Sequence, residues 1–341
     1  MKSVNVLLTC SSLHAVGIID CLKDNPDNVP VKVFVTNCNV ADLPPEKCCD
    51  GTFVVPKIDD EGYIPYLMQL CRINAIDIIF PTSSLELELM ARYKEVFNDN
   101  GVKVSVSSLD AVMVAGDKIK TWQRYKQYMP QQTVAMNALD VLEFSHKVPN
   151  ICCKPVSLCG GKGFAVVDEE KCTDVSLFHG YGKKHYISLW QLCKAVEKYQ
   201  QPMILQEYQS GMDFSILALA VNGKLLYCCG NYATKLEFGS TVEGEIGMHP
   251  YAKKIAQKVI ERLNIDGIVG FDFILLSDGS AKLLDINLRV TASAQFYAKA
   301  GCNIPWLRCK QLLGYDISKE SISIDYGLNM VKYFDAHYFH N

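Results

Sequence analysis

The chain has 341 residues, of which 49% are hydrophobic and 21% are charged, with a formal net charge of −3. This composition is typical of a globular protein large enough for two or three lobes with substantial cores. The charge balance provides no basic surface for nucleic acid or an anionic membrane, and no apolar run approaches the roughly 20 residues of a membrane span. The fifteen cysteines lack the spacing of zinc or redox motifs and indicate reduced thiols. We therefore expect a cytoplasmic protein without nucleic-acid or membrane partners.

The first part of the chain alternates apolar strands with helices. The pattern predicts strands at residues 4–9, 31–35, 76–80 and 102–106 and helices at residues 15–23, 66–73 and 85–97. Alternation at this spacing predicts a parallel sheet with right-handed crossovers. We assign residues 1–110 to this N-terminal α/β lobe.

The pattern changes in the middle of the chain and again near residue 203. The middle part predicts helices at residues 117–128 and 188–199 and strands at residues 151–154 and 164–167, which flank a glycine-rich turn. The last part predicts antiparallel strands at residues 203–208, 214–221 and 224–230 and an amphipathic helix at residues 251–263. The dipeptide Asn222-Gly223 is a hairpin signal. We assign residues 111–202 to a central lobe and residues 203–341 to a C-terminal lobe.

Two acidic residues face each other in a predicted hairpin near the end of the chain. Strand-like runs at residues 268–276 and 281–287 flank a turn at Asp278-Gly279, which favours a two-residue connection. With that turn, Asp272 lies opposite Asp285 and Gly270 lies opposite Asn287. Because side chains alternate along a strand, the two acids and the asparagine share one face.

Like charges directly across a strand pair are destabilising, with Cβ atoms about 4.5–5.5 Å apart. Apolar neighbours limit the exposure of the pair to water, so a divalent cation would resolve the repulsion. Carboxylate and amide oxygens are hard ligands that suit Mg²⁺ carrying nucleotide phosphates. A solvent-facing hairpin with harmless acids is the alternative interpretation.

The segment Asp285-Ile286-Asn287-Leu288-Arg289 resembles the acid-x-Asn-x-Arg signature of the ATP-grasp superfamily, and the carbamoyl-phosphate-synthase-like branch resembles it most. The resemblance covers nearly the whole chain and implies one ATP-grasp unit, an α/β and α+β protein in which two lobes clamp ATP beside an N-terminal parallel lobe. It implies that Asp272, Asp285 and Asn287 bind Mg²⁺ or Mn²⁺ with ATP. Arg289 then faces the transferred phosphate or the acyl phosphate.

Other motifs occur in the order of that family. Asp117-Lys118 and Ile151-Cys152-Cys153-Lys154-Pro155 resemble the segments that carry the two ATP lysines. Gly160-Gly161-Lys162-Gly163 resembles the loop over the phosphates, where backbone N–H groups can approach closely. Glu207, Tyr208 and Asp213 resemble the adenine hinge and the ribose-binding acid. A weaker match places Lys235 near the phosphates.

Each motif alone has an ordinary explanation. Lys118 could be a surface lysine, the glycine loop a plain turn, and Glu207 and Asp213 solvated strand ends. The shared order and spacing favour the ATP-grasp interpretation. Three positions depart from the signature: Asp285 replaces the commoner glutamate, Leu288 replaces a frequent proline, and Gly270 replaces the arginine of the D-alanine–D-alanine ligase branch.

The N-terminal lobe carries candidate substrate residues rather than a nucleotide-binding motif. It lacks G-x-G-x-x-G after the first strand, so a dinucleotide site is not expected. Polar residues follow the predicted strands, at the edge where open parallel sheets bind ligands. The candidates are His14, Thr82, Ser83, Ser84 and Glu86. Serine and threonine at such positions also serve as helix caps.

Together these features predict an ADP-forming ATP-grasp ligase that activates a carboxylate as an acyl phosphate and joins it to an amine or ammonia. Its partners would be small-molecule substrates, with homodimer formation left open. Two alternatives remain: a bicarbonate-activating enzyme of the carbamoyl-phosphate type, and a nucleotide-binding protein without catalysis.

Overall fold

The computed structural model describes residues 2–12, 15–156, 163–172, 185–199, 202–237 and 239–333. Three sheets organise this part of the chain, two of five strands and one of six. Within the described ranges, no helix is both long enough and apolar enough to cross a bilayer.

The first sheet is parallel, as predicted. Its strands are β1 (Val4–Thr9), β2 (Val31–Asn37), β3 (Gly51–Val54), β4 (Ile78–Pro81) and β5 (Lys103–Val104), in the order β3-β2-β1-β4-β5. The helices around it are α1 (Ala15–Lys23), α2 (Tyr63–Ile73), α3 (Leu87–Arg92), α4 (Lys94–Asp99) and α5 (Leu109–Ala115). Strand β4 is buried at all four positions, because helices cover both faces of such a sheet. The helix predicted at residues 85–97 is two helices separated at Tyr93.

The second sheet is mainly antiparallel and forms the central lobe. Its strands are β6 (Gln132–Ala135), β7 (Ile151–Pro155), β8 (Ala165–Val167), β9 (His185–Ile187) and β10 (Met203–Glu207), in the order β6-β10-β7-β8-β9. Helices α7 (Ala138–Ser145) and α8 (Leu189–Tyr199) pack on this sheet, whereas α6 (Lys118–Tyr125) contributes Tyr125 to a core that the first and third lobes share. The boundary predicted at residue 203 is wrong for β10, which pairs with β6 and β7 and not with the C-terminal strands. A strand pattern does not encode which sheet the strand joins.

The third sheet belongs to the C-terminal lobe. Its strands are β11 (Met212–Val221), β12 (Lys224–Glu237), β13 (Ser240–Ile246), β14 (Gly267–Leu275), β15 (Ala281–Asn287) and β16 (Asn329–Val331), in the order β15-β14-β11-β12-β13-β16. Its helices are α9 (Pro250–Arg262), α10 (Ala294–Lys299) and α11 (Ile304–Leu312). The predicted turn at Asn222-Gly223 closes β11 and β12 with positive φ at both residues, as a type I′ turn requires.

The first and third lobes share their hydrophobic cores, whereas the central lobe has its own. One buried cluster joins Leu7 and Tyr63 of the first lobe to Phe214 and Phe271 of the third. A second cluster joins residues of β1, β2 and α1 to residues of β11, α10 and α11. The third cluster lies entirely within residues 135–205. The outer lobes therefore form one platform, on which the central lobe is a separately packed body.

Candidate active site

The hairpin of β14 and β15 places the two predicted acids opposite each other. Asp272 pairs with Asp285 and Gly270 pairs with Asn287, as the sequence predicted. The pairing shifts by one residue beyond Phe273, which pairs with Leu283, so that β15 carries a bulge at Leu284. A bulge adds one residue to one strand of an antiparallel pair.

The turn of this hairpin differs from the prediction. The N–H of Leu276 donates to the carbonyl of Ser280 at 2.9 Å, so three residues and not two form the connection. Gly279 adopts φ +81°, the left-handed conformation that three-residue turns require. The extra turn residue and the bulge compensate each other, and the acid pair keeps its predicted register.

Asp272 is held by two donors on the same sheet face. The hydroxyl of Ser215, on the neighbouring strand β11, donates to Oδ1 at 2.8 Å, and the amide nitrogen of Asn287 donates to Oδ2 at 3.1 Å. Asp285 accepts from the backbone N–H of Ile286 at 3.0 Å through Oδ1. Asp272, Asp285 and Asn287 are all partly buried. Ser215 pairs directly with Asp272 and shares its sheet face, and its sequence signal is its position two residues after Asp213.

Electrostatic repulsion is visible in the acid pair. Burial and then the charge of Asp285 raise the pKa of Asp272 to about 6, although the Ser215 hydroxyl and the Arg289 guanidinium oppose these effects. The charge of Asp213 also acts on Asp272 in the raising direction. A desolvated carboxylate beside a second carboxylate is disfavoured in its charged form, and a divalent cation supplies positive charge to both.

The donor set fits a hard cation such as Mg²⁺. Two carboxylates and an amide oxygen are the ligand types that Mg²⁺ takes beside nucleotide phosphates. Asn287 uses its amide nitrogen to contact Asp272, which leaves its oxygen as a further acceptor. Among the described residues, no group of three or more His, Cys, Asp or Glu is arranged to hold a metal ion. The candidate site therefore depends on the asparagine and on phosphate oxygens.

Arg289 lies where the third lobe meets the first. Its Nε donates to the hydroxyl of Ser84, just after β4, at 3.0 Å, and its Nη1 donates to the carbonyl of Val290 at 3.1 Å. Gly270 permits the chain after Arg289 to cross the sheet closely, because a Cβ at position 270 would lie 2.4 Å from Cγ2 of Thr291. Close packing against Thr291 therefore explains why position 270 is glycine and not the arginine of the D-alanine–D-alanine ligase pattern.

The predicted nucleotide residues lie on the central lobe and on the connection to the third sheet. Lys118 is the first residue of α6, whose N-terminus is capped by Asp117. Lys154 lies in β7, whose alternate residues Ile151 and Cys153 face the core of the central lobe, so its side chain lies on the opposite face.

Glu207, Tyr208 and Asp213 lie along the connection from β10 to β11. The N–H groups of Glu207 and Tyr208 donate to the carbonyls of Gln131 and Asn150, both in the central lobe. Asp213 begins the third sheet beside Ile274. Gly160, Gly161 and Lys162 lie outside the described residues, and Gly163 has φ +71°.

The structure gives contacts or burial for three further predicted residues. Lys235 is exposed and forms ion pairs with Glu237 at 3.1 Å and Glu243 at 3.8 Å, the first of which raises its pKa. The side chain of Glu86, a predicted substrate residue, is fully buried. The hydroxyl of Ser83 accepts from the N–H of Leu85 at 3.3 Å, and His14 lies outside the described residues.

The three-lobed fold with an acid pair on the third sheet defines the ATP-grasp class. Residues 199–333 match the family model "ATP-grasp in the biosynthetic pathway with Ter operon". Residues 6–105 match the model "PylC-like, N-terminal domain". No curated protein sequence matched the chain.

Solved structures agree with this fold. L-amino acid ligase from Bacillus licheniformis is 17% identical with a TM-score of 0.65, over 92% of this chain and 75% of that one. N5-carboxyaminoimidazole synthetase from Staphylococcus aureus, complexed with ADP, is 14% identical with a TM-score of 0.66, over 95% and 81%. The biotin carboxylase domain of Hydrogenobacter thermophilus 2-oxoglutarate carboxylase, in complex with MgADP, ADP and bicarbonate, is 12% identical with a TM-score of 0.67, over 94% and 72%.

Proposed function

We propose that this protein is an ADP-forming ligase that activates a small-molecule carboxylate with ATP and joins it to an amine or ammonia. The observation that supports this most directly is the convergence of Asp272, Asp285 and Asn287 on one sheet face, with the Arg289 charge acting on Asp272. Nucleotide phosphates need this combination of metal ligands and a cation. The solved structures named above include two ligases or synthetases and a biotin carboxylase domain, and they support the same class.

The proposed reaction has two steps. The γ-phosphoryl group of ATP moves to a carboxylate oxygen and ADP leaves; the nitrogen nucleophile then attacks the acyl carbon and inorganic phosphate leaves. Magnesium bound with the nucleotide would supply charge neutralisation on the phosphates. Arg289 would orient the acyl phosphate and stabilise its developing negative charge.

The central lobe would provide the remaining phosphate contacts. Lys118 and Lys154 are proposed to neutralise the phosphates, Lys235 to approach them, and the loop with Gly160, Gly161, Lys162 and Gly163 to cover them. Glu207, Tyr208 and Asp213 are proposed to hold adenine and ribose, because they lie where the central lobe joins the third sheet. Closure of the central lobe would exclude water and protect the acyl phosphate from hydrolysis.

The test is ADP release in a screen of amino acids and other carboxylates with amines and ammonia, in the presence of Mg²⁺. We expect release to require both a carboxylate and a nitrogen nucleophile, and to fall at least about 100-fold in Asp285→Asn because a metal ligand is lost. Asp278→Asn is the matched control: it makes the same chemical change at the exposed turn of the same hairpin. Full activity of Asp285→Asn would contradict the proposal.

The same screen separates the alternatives. The biotin carboxylase domain named above was solved with bicarbonate, which makes bicarbonate the specific competitor to test. ADP release with bicarbonate alone would favour a carboxyphosphate-forming enzyme. Nucleotide binding without turnover for any acid would favour a binding protein.

A further inference from the structure

The loop between β4 and α3, which contacts Arg289 through Ser84, buries a charged side chain and exposes an apolar one. Leu85 is 71% exposed, whereas the neighbouring Glu86 is fully buried. Burying a carboxylate costs free energy that burying a leucine would not, so the buried Glu86 requires hydrogen bonds that offset this cost. Burial also raises the pKa of Glu86, and hydrogen bonds from its neighbours oppose that effect. The side chain therefore has a role in shaping this loop that an apolar residue could not perform.

Glu86 holds the backbone between β4 and α3. Its Oε1 accepts from the N–H of Thr82 at 3.1 Å and from the N–H of Ser83 at 3.4 Å, and its Oε2 accepts from the hydroxyl of Tyr63 at 3.0 Å. The hydroxyl of Thr82 also donates to the carbonyl of Thr9, which ties the loop to the end of β1. The loop is thus fixed at the carboxyl edge of the first sheet.

Helix capping does not account for this carboxylate. Glu86 occupies the N-cap position of α3, but its side chain makes no capping hydrogen bond. Its oxygens turn back to the preceding loop instead of forward to the helix. The same loop presents the hydroxyl of Ser84 to Nε of Arg289 at 3.0 Å, across 205 positions of sequence.

We propose that Ser84 and Glu86 are positioning residues for Arg289: the buried carboxylate fixes the loop, and the loop hydroxyl sets the plane of the guanidinium. The second contact of Arg289, with the carbonyl of Val290, fixes the same plane from its own lobe. This inference rests on the proposed function, in which Arg289 faces the acyl phosphate. Misorientation of such a group by a fraction of an ångström reduces the rate of the chemical step more than it reduces binding of ATP.

The kinetic test compares five variants with wild type by steady-state ADP release. We expect Ser84→Ala to lower kcat about tenfold with an unchanged KM for ATP, and Ser84→Thr to restore most of kcat, because threonine keeps the hydroxyl. Glu86→Leu should lower kcat at least as much, while Glu86→Gln retains an acceptor for the loop and loses less. Glu88→Leu, at an exposed glutamate of α3, is the matched control and should behave as wild type.

The double variant Ser84→Ala/Glu86→Leu tests whether Glu86 affects Arg289 through the Ser84 hydroxyl. We expect its loss to equal that of Glu86→Leu alone, since coupled residues are not additive. Losses that multiply, or a Ser84→Ala enzyme with unchanged kcat, would overturn the inference.

A second readout does not depend on turnover. The side-chain Nε–H resonance of Arg289, assigned by its absence in Arg289→Lys, reports the contact with Ser84 directly. We expect this signal to shift in Ser84→Ala and in Glu86→Leu and to stay in place in Ser84→Thr and Glu88→Leu. An unchanged signal in Glu86→Leu would overturn the inference. Absence of ADP release with every acid would instead reject the proposed function, and the resonance would still decide the positioning role.

Discussion

Asp272 and Asp285 lie directly opposite each other on β14 and β15, and the bulge at Leu284 sets that register. The pair is partly buried, and Asp272 has a side-chain donor on each of its two oxygens. We expect the repulsion between these two carboxylates to lower the free energy of unfolding when no cation is bound. Natural active sites commonly show such a conflict between stability and function.

Asp272→Asn should stabilise the protein in the absence of divalent cations. The pKa of Asp272 is raised to about 6 by burial and by Asp285, so the folded state disfavours its charged form. Neutralising the residue should add about 1–3 kcal/mol to the free energy of unfolding at pH 7. Urea denaturation in a chelating buffer measures this, and a less stable Asp272→Asn protein would contradict the electrostatic explanation.

The pH dependence of that difference follows from the same pKa. A raised carboxyl pKa means that the folded state binds the proton more tightly than the unfolded state. The cost of Asp272 is therefore fully present above about pH 6 and declines as the pH falls towards the ordinary value of 3.8. We expect the advantage of Asp272→Asn to be about half as large at pH 5 as at pH 7. Asp278→Asn, at the exposed turn, leaves the acid pair intact, so its stability difference from wild type should not follow the titration of Asp272.

Magnesium should reverse the instability of the wild-type protein. With ADP present, added Mg²⁺ is expected to raise the melting temperature of wild type, because binding to the folded state stabilises it. The shift should weaken below about pH 6, where protonation of Asp272 competes with the cation. Asp285→Asn should lose most of the shift, and an equal shift in that variant would argue that Mg²⁺ binds elsewhere. Differential scanning fluorimetry is sufficient for the comparison.

Gly270→Ala should impair activity through Thr291. The added Cβ would lie 2.4 Å from Cγ2 of Thr291, so the segment that follows Arg289 must move. We expect ADP release to fall at least about tenfold, since Arg289 is displaced with its neighbours. The double variant Gly270→Ala/Thr291→Ser removes the clashing methyl and should recover most of the activity. Failure of this suppressor would indicate that alanine acts at some other contact.

Arg308→Met should destabilise the joined outer lobes. Arg308 is fully buried in α11 and bonds to Asp266 at 3.1 Å and to Ser105, after β5, at 3.3 Å. Its loss leaves Asp266 without its main counter-charge, at a cost of about 2–4 kcal/mol. Denaturant unfolding measures the change. Lys258→Met, which removes an exposed ion pair with Glu261, should cost less than about 1 kcal/mol.

The sequence predicted the acid pair because strand pairing near a turn is a local problem. Asp272, Asp285 and Asn287 are separated by at most 15 residues, and their alternation is readable without tertiary information. The connection itself was predicted one residue too short, and the bulge at Leu284 concealed the error in the register. Bulges are set by packing against the rest of the sheet, which the sequence does not display.

The pairing of strands that are far apart in the sequence could not be predicted in the same way. Strand β10 pairs with β6 and β7, which begin 71 and 52 residues earlier, and its pattern fits either the second or the third sheet. Glu86 illustrates the same limit for side chains. A glutamate just after a strand looks alike whether it faces a ligand or holds a loop, and the sequence does not show that Glu86 is buried beside the exposed Leu85.

The junction between α11 and the first lobe bears on how such chains can be recombined. Trp306 and Lys310 both bond to Asp27, at 2.7 Å and 2.9 Å, and Asn303 bonds to the carbonyl of Cys21 at 2.7 Å. Two separate family models match the N-terminal part and the C-terminal part of the chain. These two parts are nevertheless joined by hydrogen bonds between α11 and the first lobe, so each part depends on residues of the other. If the N-terminal part were exchanged between relatives, α11 would therefore have to be exchanged with it. The central lobe has a hydrophobic core of its own within residues 135–205, so it is the better unit to exchange alone.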